Sequence, residues 1–309
     1  MVPDTGSGPR VTERPLEWVR AMVRSAVSAA VTTFHAGNGP AAPLRARTIV
    51  QELRERPVTR ASIVLPVPTD LPRRNREPDG ASLFDVGAVG PIDPVELHLE
   101  VPLEEVARAD ARALAFGLRT AVERGRARSW GLGHGARAPS PEGVQRWLAL
   151  GPDWVRLPLH LLSTPDARSA VAEAARLDVP VVVDDPFAAG ALNGRLLREG
   201  RVAPPGAVGP MDLARVRSEW GPVVALGFLT ADRDRTLGQA ALQFALGTPG
   251  VVTVLTDAPD AAEFVALARL GEVPPLSAEL RRRVEAGMER LPLSSQRGRP
   301  PRAADARVK

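Results

Sequence analysis

The residues best suited to chemistry in this chain are its histidines and three of its aspartates. Each of them ends, or closely follows, a short run of apolar or β-branched residues of the kind found in strands: His35, His98, His134, His160, Asp184, Asp185 and Asp257. An imidazole titrates near neutral pH and can both take and give a proton. A carboxylate beside it can fix its orientation. These residue types therefore predict acid–base chemistry.

Residue types that are missing narrow this prediction. The chain of 309 residues has no Cys and no Tyr, and its one Lys is the final residue, Lys309. Disulfides, thiolate metal sites and thiol nucleophiles are thus excluded. A phenol acid is excluded as well, and a Schiff-base lysine in the folded core is not expected. Proton transfer must rely on His, Asp, Glu or a ligand.

Composition and charge distribution indicate a globular protein. The sequence is 44% hydrophobic and 25% charged, and 309 residues can bury a large core. It has no apolar run of about 18 residues and no signal-peptide pattern, so we expect a cytoplasmic protein without a membrane partner. Residues 292–309 hold five basic residues and one acidic residue, which accounts for the net charge of +4. We expect a disordered basic tail there and no nucleic-acid partner.

Apolar runs and amphipathic stretches alternate along the chain. Seven strands are predicted at 31–35, 61–66, 95–100, 129–133, 154–159, 179–185 and 251–255. Helical periodicity is found at 15–30, 103–122, 141–150, 166–177, 235–246, 260–270 and 277–290. Strands separated by helices predict βα units and a parallel sheet.

The number of units favours an α/β fold of the (β/α)8 TIM-barrel type, spanning residues 15–291. Residues 1–14 form an N-terminal arm in this interpretation. Only 8–12 could supply a first strand, so that strand is weak or missing. Functional groups of such barrels lie where the strands end, which would bring all four histidines to one rim.

From this placement we predict a set of site residues. His98 and His35 would act as base and acid, and Asp184 or Asp185 would orient one of them. Contacts to a small-molecule substrate would come from Asn38, His134, His160, Trp130 and Asp257. A metal site ranks lower, since no HxH or HExxH spacing is present.

Several longer segments can be compared with a known family. "VVVDDPFAAGALNGRL" at 181–196 is similar to the seventh strand and following loop of the aldo/keto reductases, and 103–135 resembles that family's helix and fifth strand. "RTLGQAALQFALGTPGVVTVL" at 235–255 resembles its helix and last strand, and 273–280 resembles the segment that follows. The resemblance covers about residues 15 to 290 and implies the barrel fold of that family.

The family reduces carbonyls with NADPH and an Asp, Tyr, Lys and His tetrad, and the resemblance implies that most of this tetrad is lost. His35 falls at the aspartate, Pro40 at the tyrosine, and Pro66 or Val67 at the lysine; only His98 matches. Asp184 falls where the family stacks an aromatic ring on the nicotinamide. We therefore expect no cofactor, with NADPH binding weak or absent.

Three functions remain open from the sequence. The first is a cofactor-independent, His-based acid–base enzyme, a lyase or isomerase performing elimination, isomerisation or cyclisation on a small carbonyl-containing metabolite. The second is a non-catalytic pseudoenzyme or regulatory binding subunit. The third is an atypical NADP(H)-dependent oxidoreductase. A homodimer is compatible with each of them.

Overall fold

The structure is a computed structural model of the chain. It describes residues 15–37, 41–56, 60–67, 95–102, 111–134, 140–188, 190–193, 221–231, 234–256 and 261–289. The predicted arm 1–14, the tail 292–309, Asn38, Pro40 and Asp257 lie outside these residues.

Seven parallel strands form one sheet. They are β1 (Thr33–His35), β2 (Ala61–Pro66), β3 (Val95–Pro102), β4 (Ser129–Gly133), β5 (Trp154–Pro158), β6 (Val181–Asp184) and β7 (Val251–Val254). Their order in the sheet is their order in the chain, and each pairs in parallel with the next. All seven predicted strands are confirmed.

Helices follow most of the strands. They are α1 (Leu16–Ser28), α2 (Ala42–Arg54), α3 (Ala111–Glu123), α4 (Pro141–Leu148), α5 (Pro165–Arg176), α6 (Leu237–Leu246), α7 (Ala261–Ala268) and α8 (Ala278–Glu289). Four are preceded by a Ser or Thr whose side chain accepts a backbone N–H: Ser140, Thr164, Thr236 and Ser277. The periodicity predicted each of these helices except α2. No helix in the described ranges is long and apolar enough to cross a membrane.

Side chains on the two faces of the sheet belong to different layers. On β3, Leu97, Leu99 and Val101 join the main hydrophobic core, which also contains the inner faces of the helices. A separate small cluster holds Val64, Trp154, Val182 and Leu255, from β2, β5, β6 and the end of β7. Contact between side chains of such distant strands requires a curled sheet. The α/β barrel architecture predicted from the sequence is therefore confirmed.

Candidate active site

Five ionisable side chains form a continuous buried chain inside the curled sheet. In order of contact they are His35, Glu100, Arg156, Asp184 and His134, supplied by β1, β3, β5, β6 and the residue after β4. None is more than 9% exposed. Their strands are parallel, so residues near the carboxyl ends meet at one end of the barrel.

Arg156 is the centre of this chain. Its Nε and Nη2 each lie 2.7 Å from an oxygen of Glu100, and its Nη1 donates to Asp184. Burial alone would raise the pKa of both carboxyls, but Arg156 outweighs it. The pKa of Glu100 is therefore lowered, and that of Asp184 falls to about 2. Both carboxylates are ionised at neutral pH.

Gly133 makes room for the pair between Arg156 and Glu100. A Cβ built on Gly133 would collide with the Glu100 carboxylate and with Nη2 of Arg156, 2.7 Å away. A Cβ on Gly131 would collide with the indole of Trp154 in the same way. The glycines of "SWGLG" thus allow β5 side chains to cross β4.

His35 is committed to this network through both ring nitrogens. The backbone N–H of Gly37 donates to Nδ1 over 2.8 Å, so the ring proton sits on Nε2 and is donated to Glu100, 3.3 Å away. Burial lowers the pKa of His35 despite the attraction of Glu100. His35 is therefore a neutral imidazole with two protein partners.

A second group of polar side chains forms where β4, β5 and β6 end. Nε2 of His134 lies 2.6 Å from Oδ1 of Asp184 and donates a hydrogen bond to this carboxylate. His160 is half-buried, its Nδ1 accepts the backbone N–H of Leu162 over 3.1 Å, and its own backbone N–H donates to Ser163. Burial lowers the pKa of His160 to about 4, although Asp184 acts against this. His160 is therefore neutral at pH 7 and carries its proton on Nε2.

The loop that begins with Asp185 has a strained backbone. Asp185 has φ +47° and precedes Pro186, and Ala188 has φ +50°. A left-handed conformation is unfavourable for residues other than Gly, and a following proline makes it less favourable. Strain of this kind collects at functional sites. Ala30 and Asp178, which precede β1 and β6 at the other end of the barrel, have similar positive φ angles, so strain alone does not identify the functional end.

His98 lies farther from the carboxyl end of its strand than predicted. β3 ends at Pro102, two residues beyond the predicted boundary, so His98 is in mid-strand. Its Nδ1 lies 2.7 Å from the Ser129 hydroxyl, which also accepts the indole N–H of Trp154. His35 meets Glu100 instead. No hydrogen bond between the described atoms joins His35 and His98, the predicted acid–base pair.

Trp130 does not line the inside of the barrel. Its side chain is 2% exposed in the main core, and the next residue, Gly131, faces Trp154 on the opposite side of the strand. The indole inside the barrel belongs to Trp154. The alternation of side chains along β4 explains the correction, because Trp130 and Gly131 must point to opposite faces.

Glu100 and Arg156 were missed as site residues. A signal was present: Arg156 interrupts the otherwise apolar run "WVRLPL", and Glu100 shares the inward face of "VELHLE" with His98. A charge inside a buried strand needs a partner of opposite sign.

Within the described ranges, no group of three or more His, Asp or Glu has a metal-binding arrangement.

Comparison with known proteins supports the fold of this barrel and does not assign a reaction. No protein-family model matches the chain, and neither does any curated protein. The holo form of aldo-keto reductase AKR11C1 from Bacillus halodurans superimposes with a TM-score of 0.64 at 16% identity, covering 91% of each chain. The fold is that of the aldo-keto reductases.

Two further solved structures superimpose on the chain about as well. The apo form of the Bacillus halodurans enzyme gives a TM-score of 0.60 at 14% identity, covering 89% of this chain and 88% of that one. Gox0644 in its apo form gives 0.61 at 13% identity, covering 89% and 86%. The resemblance stated from sequence segments is confirmed at the level of the fold.

Proposed function

We propose that this aldo-keto reductase-like barrel is a cofactor-independent enzyme that moves protons on a small carbonyl compound. The observation that carries the proposal is the grouping of His134, His160 and Asp184 at the ends of three consecutive strands. It replaces the predicted pair of His35 and His98. Both of those imidazoles are engaged elsewhere in the barrel.

Each of the three residues has a distinct role in this proposal. His160 is neutral with its proton on Nε2, so it can donate a hydrogen bond to the substrate's carbonyl oxygen as negative charge develops there. His134 takes the proton from the carbon next to that carbonyl. Asp184 orients His134 and stabilises its protonated form, because their side chains are 2.6 Å apart.

The reaction class follows from these roles. Removal of the proton leaves its electron pair in an enolate, whose oxygen His160 stabilises. Returning the proton to a different atom gives an isomerisation, whereas expulsion of a neighbouring group gives an elimination. Neither outcome changes the oxidation state of the substrate overall.

The residues at the β6 end do not fit a nicotinamide ring. The sequence resemblance puts Asp184 at the position where reductases of this family stack an aromatic side chain on that ring. Here it is a buried, ionised carboxylate held by Arg156 and His134, and it offers no apolar face for stacking. The chain also has no tyrosine to act as proton donor. The proposed reaction therefore includes no hydride transfer.

Hydrogen–deuterium exchange at carbon tests the proposal without a known substrate. The full chain is incubated in D2O with a panel of small ketones, aldehydes and 2-oxo acids, and deuterium next to the carbonyl is measured by mass spectrometry. We expect enzyme-dependent exchange for at least one compound. His160→Asn, which can still accept the Leu162 N–H, should lose most of this activity, as should Asp184→Asn.

Two further variants sharpen the result. Arg176→Ala removes an exposed arginine of α5 whose guanidinium hydrogen-bonds to Glu173, and it should keep full activity. If His98→Asn rather than His160→Asn abolishes exchange, His98 is the reacting imidazole and the assignment is wrong. A folded protein that exchanges none of the panel would favour the alternative, a binding subunit without turnover.

A further inference from the structure

A cavity of about 190 Å³ lies at the seam between the first and last strands of the sheet. Among the described strands, β1 pairs with β2 only and β7 with β6 only, so these two strands face each other across the seam. Helices α1 and α7 pack together outside it. Most of its described lining residues come from these two strands and two helices, and one side is open; we refer to it as the seam cavity.

The walls of the seam cavity are almost entirely apolar. Representative lining residues are Trp18, Met22 and Ala26 of α1, Phe34 of β1, Val254 of β7 and Phe264 of α7. The polar side chains that line it are Thr33, Thr256 and His35. Only His35 among them can ionise near neutral pH, and burial lowers its pKa. The lining residues that the structure describes thus present no charged side chain to a ligand.

Two hydrophobic clusters meet at this cavity, and Phe34 packs against both of them. Val19 and Leu242 belong to the main core, whereas Ala26 and Phe264 form a separate small cluster with Phe34 packed against it. Residues of both clusters line the same space. A well-packed interior would bring such surfaces into contact, because the lining of a void loses dispersion contacts.

We propose that the seam cavity binds an uncharged apolar molecule, a single ring or a short branched chain somewhat larger than benzene. An apolar cavity of about 150 Å³ in another protein stays dry and binds benzene, so the volume here suits a slightly larger molecule. Pockets for drug-sized ligands measure roughly 300–1,000 Å³, which excludes a peptide or a dinucleotide. The apolar walls select against charged metabolites.

The seam cavity shares a wall with the buried charge network. His35 lines the cavity and donates from Nε2 to Glu100, which binds Arg156. A ligand against the imidazole of His35 therefore touches the network that also holds Asp184. The binding proposal does not depend on the acid–base reaction, since the lining contains neither His134 nor His160.

Toluene is a suitable probe for the full-length protein. We expect saturable binding by calorimetry and a melting temperature that rises with toluene concentration. Ala26→Leu, which projects a larger side chain into the cavity, should abolish both effects. Ala21→Leu is the matched control, because Ala21 lies on the exposed face of the same helix, and it should bind toluene like the wild type.

A second variant from the opposite wall keeps the proposal testable if Ala26→Leu does not fold. Ala268→Leu narrows the same space from α7 and should also abolish toluene binding. Absence of saturable binding by the wild type would overturn the proposal, whatever else closes or fills the space. Binding that persists in both filled variants, or that disappears equally in Ala21→Leu, would overturn it as well.

Discussion

Arg156 donates two parallel hydrogen bonds, each 2.7 Å long, to the carboxylate of Glu100 inside the barrel. The same guanidinium also reaches Asp184. One cation therefore compensates two carboxylates that are at most 2% exposed. This arrangement joins β3, β5 and β6 and determines where the carboxylate of Asp184 lies.

Removing the buried guanidinium of Arg156 should lower the free energy of unfolding much more than removing an exposed arginine. Arg156→Met leaves Glu100 and Asp184 uncompensated in a buried space, and we expect a loss of about 3–5 kcal/mol in the free energy of unfolding. Urea denaturation followed by circular dichroism measures it. Arg282→Ala, which breaks an exposed pair with Glu279, is the control and should show no measurable change. Equal effects of the two variants would contradict a central role for Arg156.

Stability should fall as the pH drops below about 6.5. The pKa of His160 is about 4 in the folded chain against an ordinary 6.5, so the unfolded chain binds more protons between these values. The stabilisation is complete above pH 6.5 and is lost towards pH 4. We expect about 2 kcal/mol from this residue, allowing for its partial exposure.

Unfolding experiments at several pH values separate this contribution from the others. His160→Asn should reduce the change in the free energy of unfolding between pH 6.5 and 4. The pKa of Asp184 is about 2, so its contribution is present above pH 4 and is lost only as pH falls towards 2. The loss of stability below pH 4, which comes from Asp184, should therefore persist in the His160 variant. An unchanged slope between pH 6.5 and 4 in that variant would contradict the lowered pKa of His160.

Gly133 should tolerate no side chain. The added methyl group of Gly133→Ala would collide with Glu100 and Arg156, and we expect a loss of about 1–3 kcal/mol in stability. Gly287→Ala is the matched control in α8, since no atom lies within 4 Å of its added Cβ. It should raise stability by about 0.5–1 kcal/mol through better helix propensity. Thermal or urea unfolding distinguishes the opposite signs.

NADPH should not bind this protein in a saturable way. The sequence resemblance puts Asp184 where the family stacks an aromatic ring on the nicotinamide, and here its carboxylate is paired with Arg156. Calorimetry with NADPH and NADP⁺, and melting temperature as a function of their concentration, measure this directly. A saturable response accompanied by oxidation of NADPH in the presence of a ketone would instead establish the atypical oxidoreductase.

The strands could be predicted from the sequence because burial on both faces of a parallel sheet leaves continuous apolar runs. The run "VVVDD" predicted β6 and put Asp184 at its end, as the structure confirms. Helix α2 was not predicted. Its sequence, "APLRARTIVQELR", buries Arg45 and Glu52, so polarity does not mark its exposed face.

The candidate site was less predictable because strand position does not give contacts. His35 and His98 both follow apolar residues, yet they have different partners. His35 hydrogen-bonds to Glu100 of β3. His98, two residues before Glu100 on β3, contacts Ser129 instead. A boundary error of two residues moves a side chain by one layer inside a barrel. Similarly, a shift of one position separates Trp130 in the outer core from Gly131 on the inner face.

The positions of the strands along the chain, the barrel class and the absence of tyrosine, cysteine and internal lysine from any site can all be read from the amino-acid sequence. These follow from composition and from local periodicity. Which charges meet depends on the tertiary fold, because Arg156 lies 56 residues after Glu100 and 28 residues before Asp184 in the chain. Closing the curled sheet brings them together, and the cost of burying each charge alone requires that they pair.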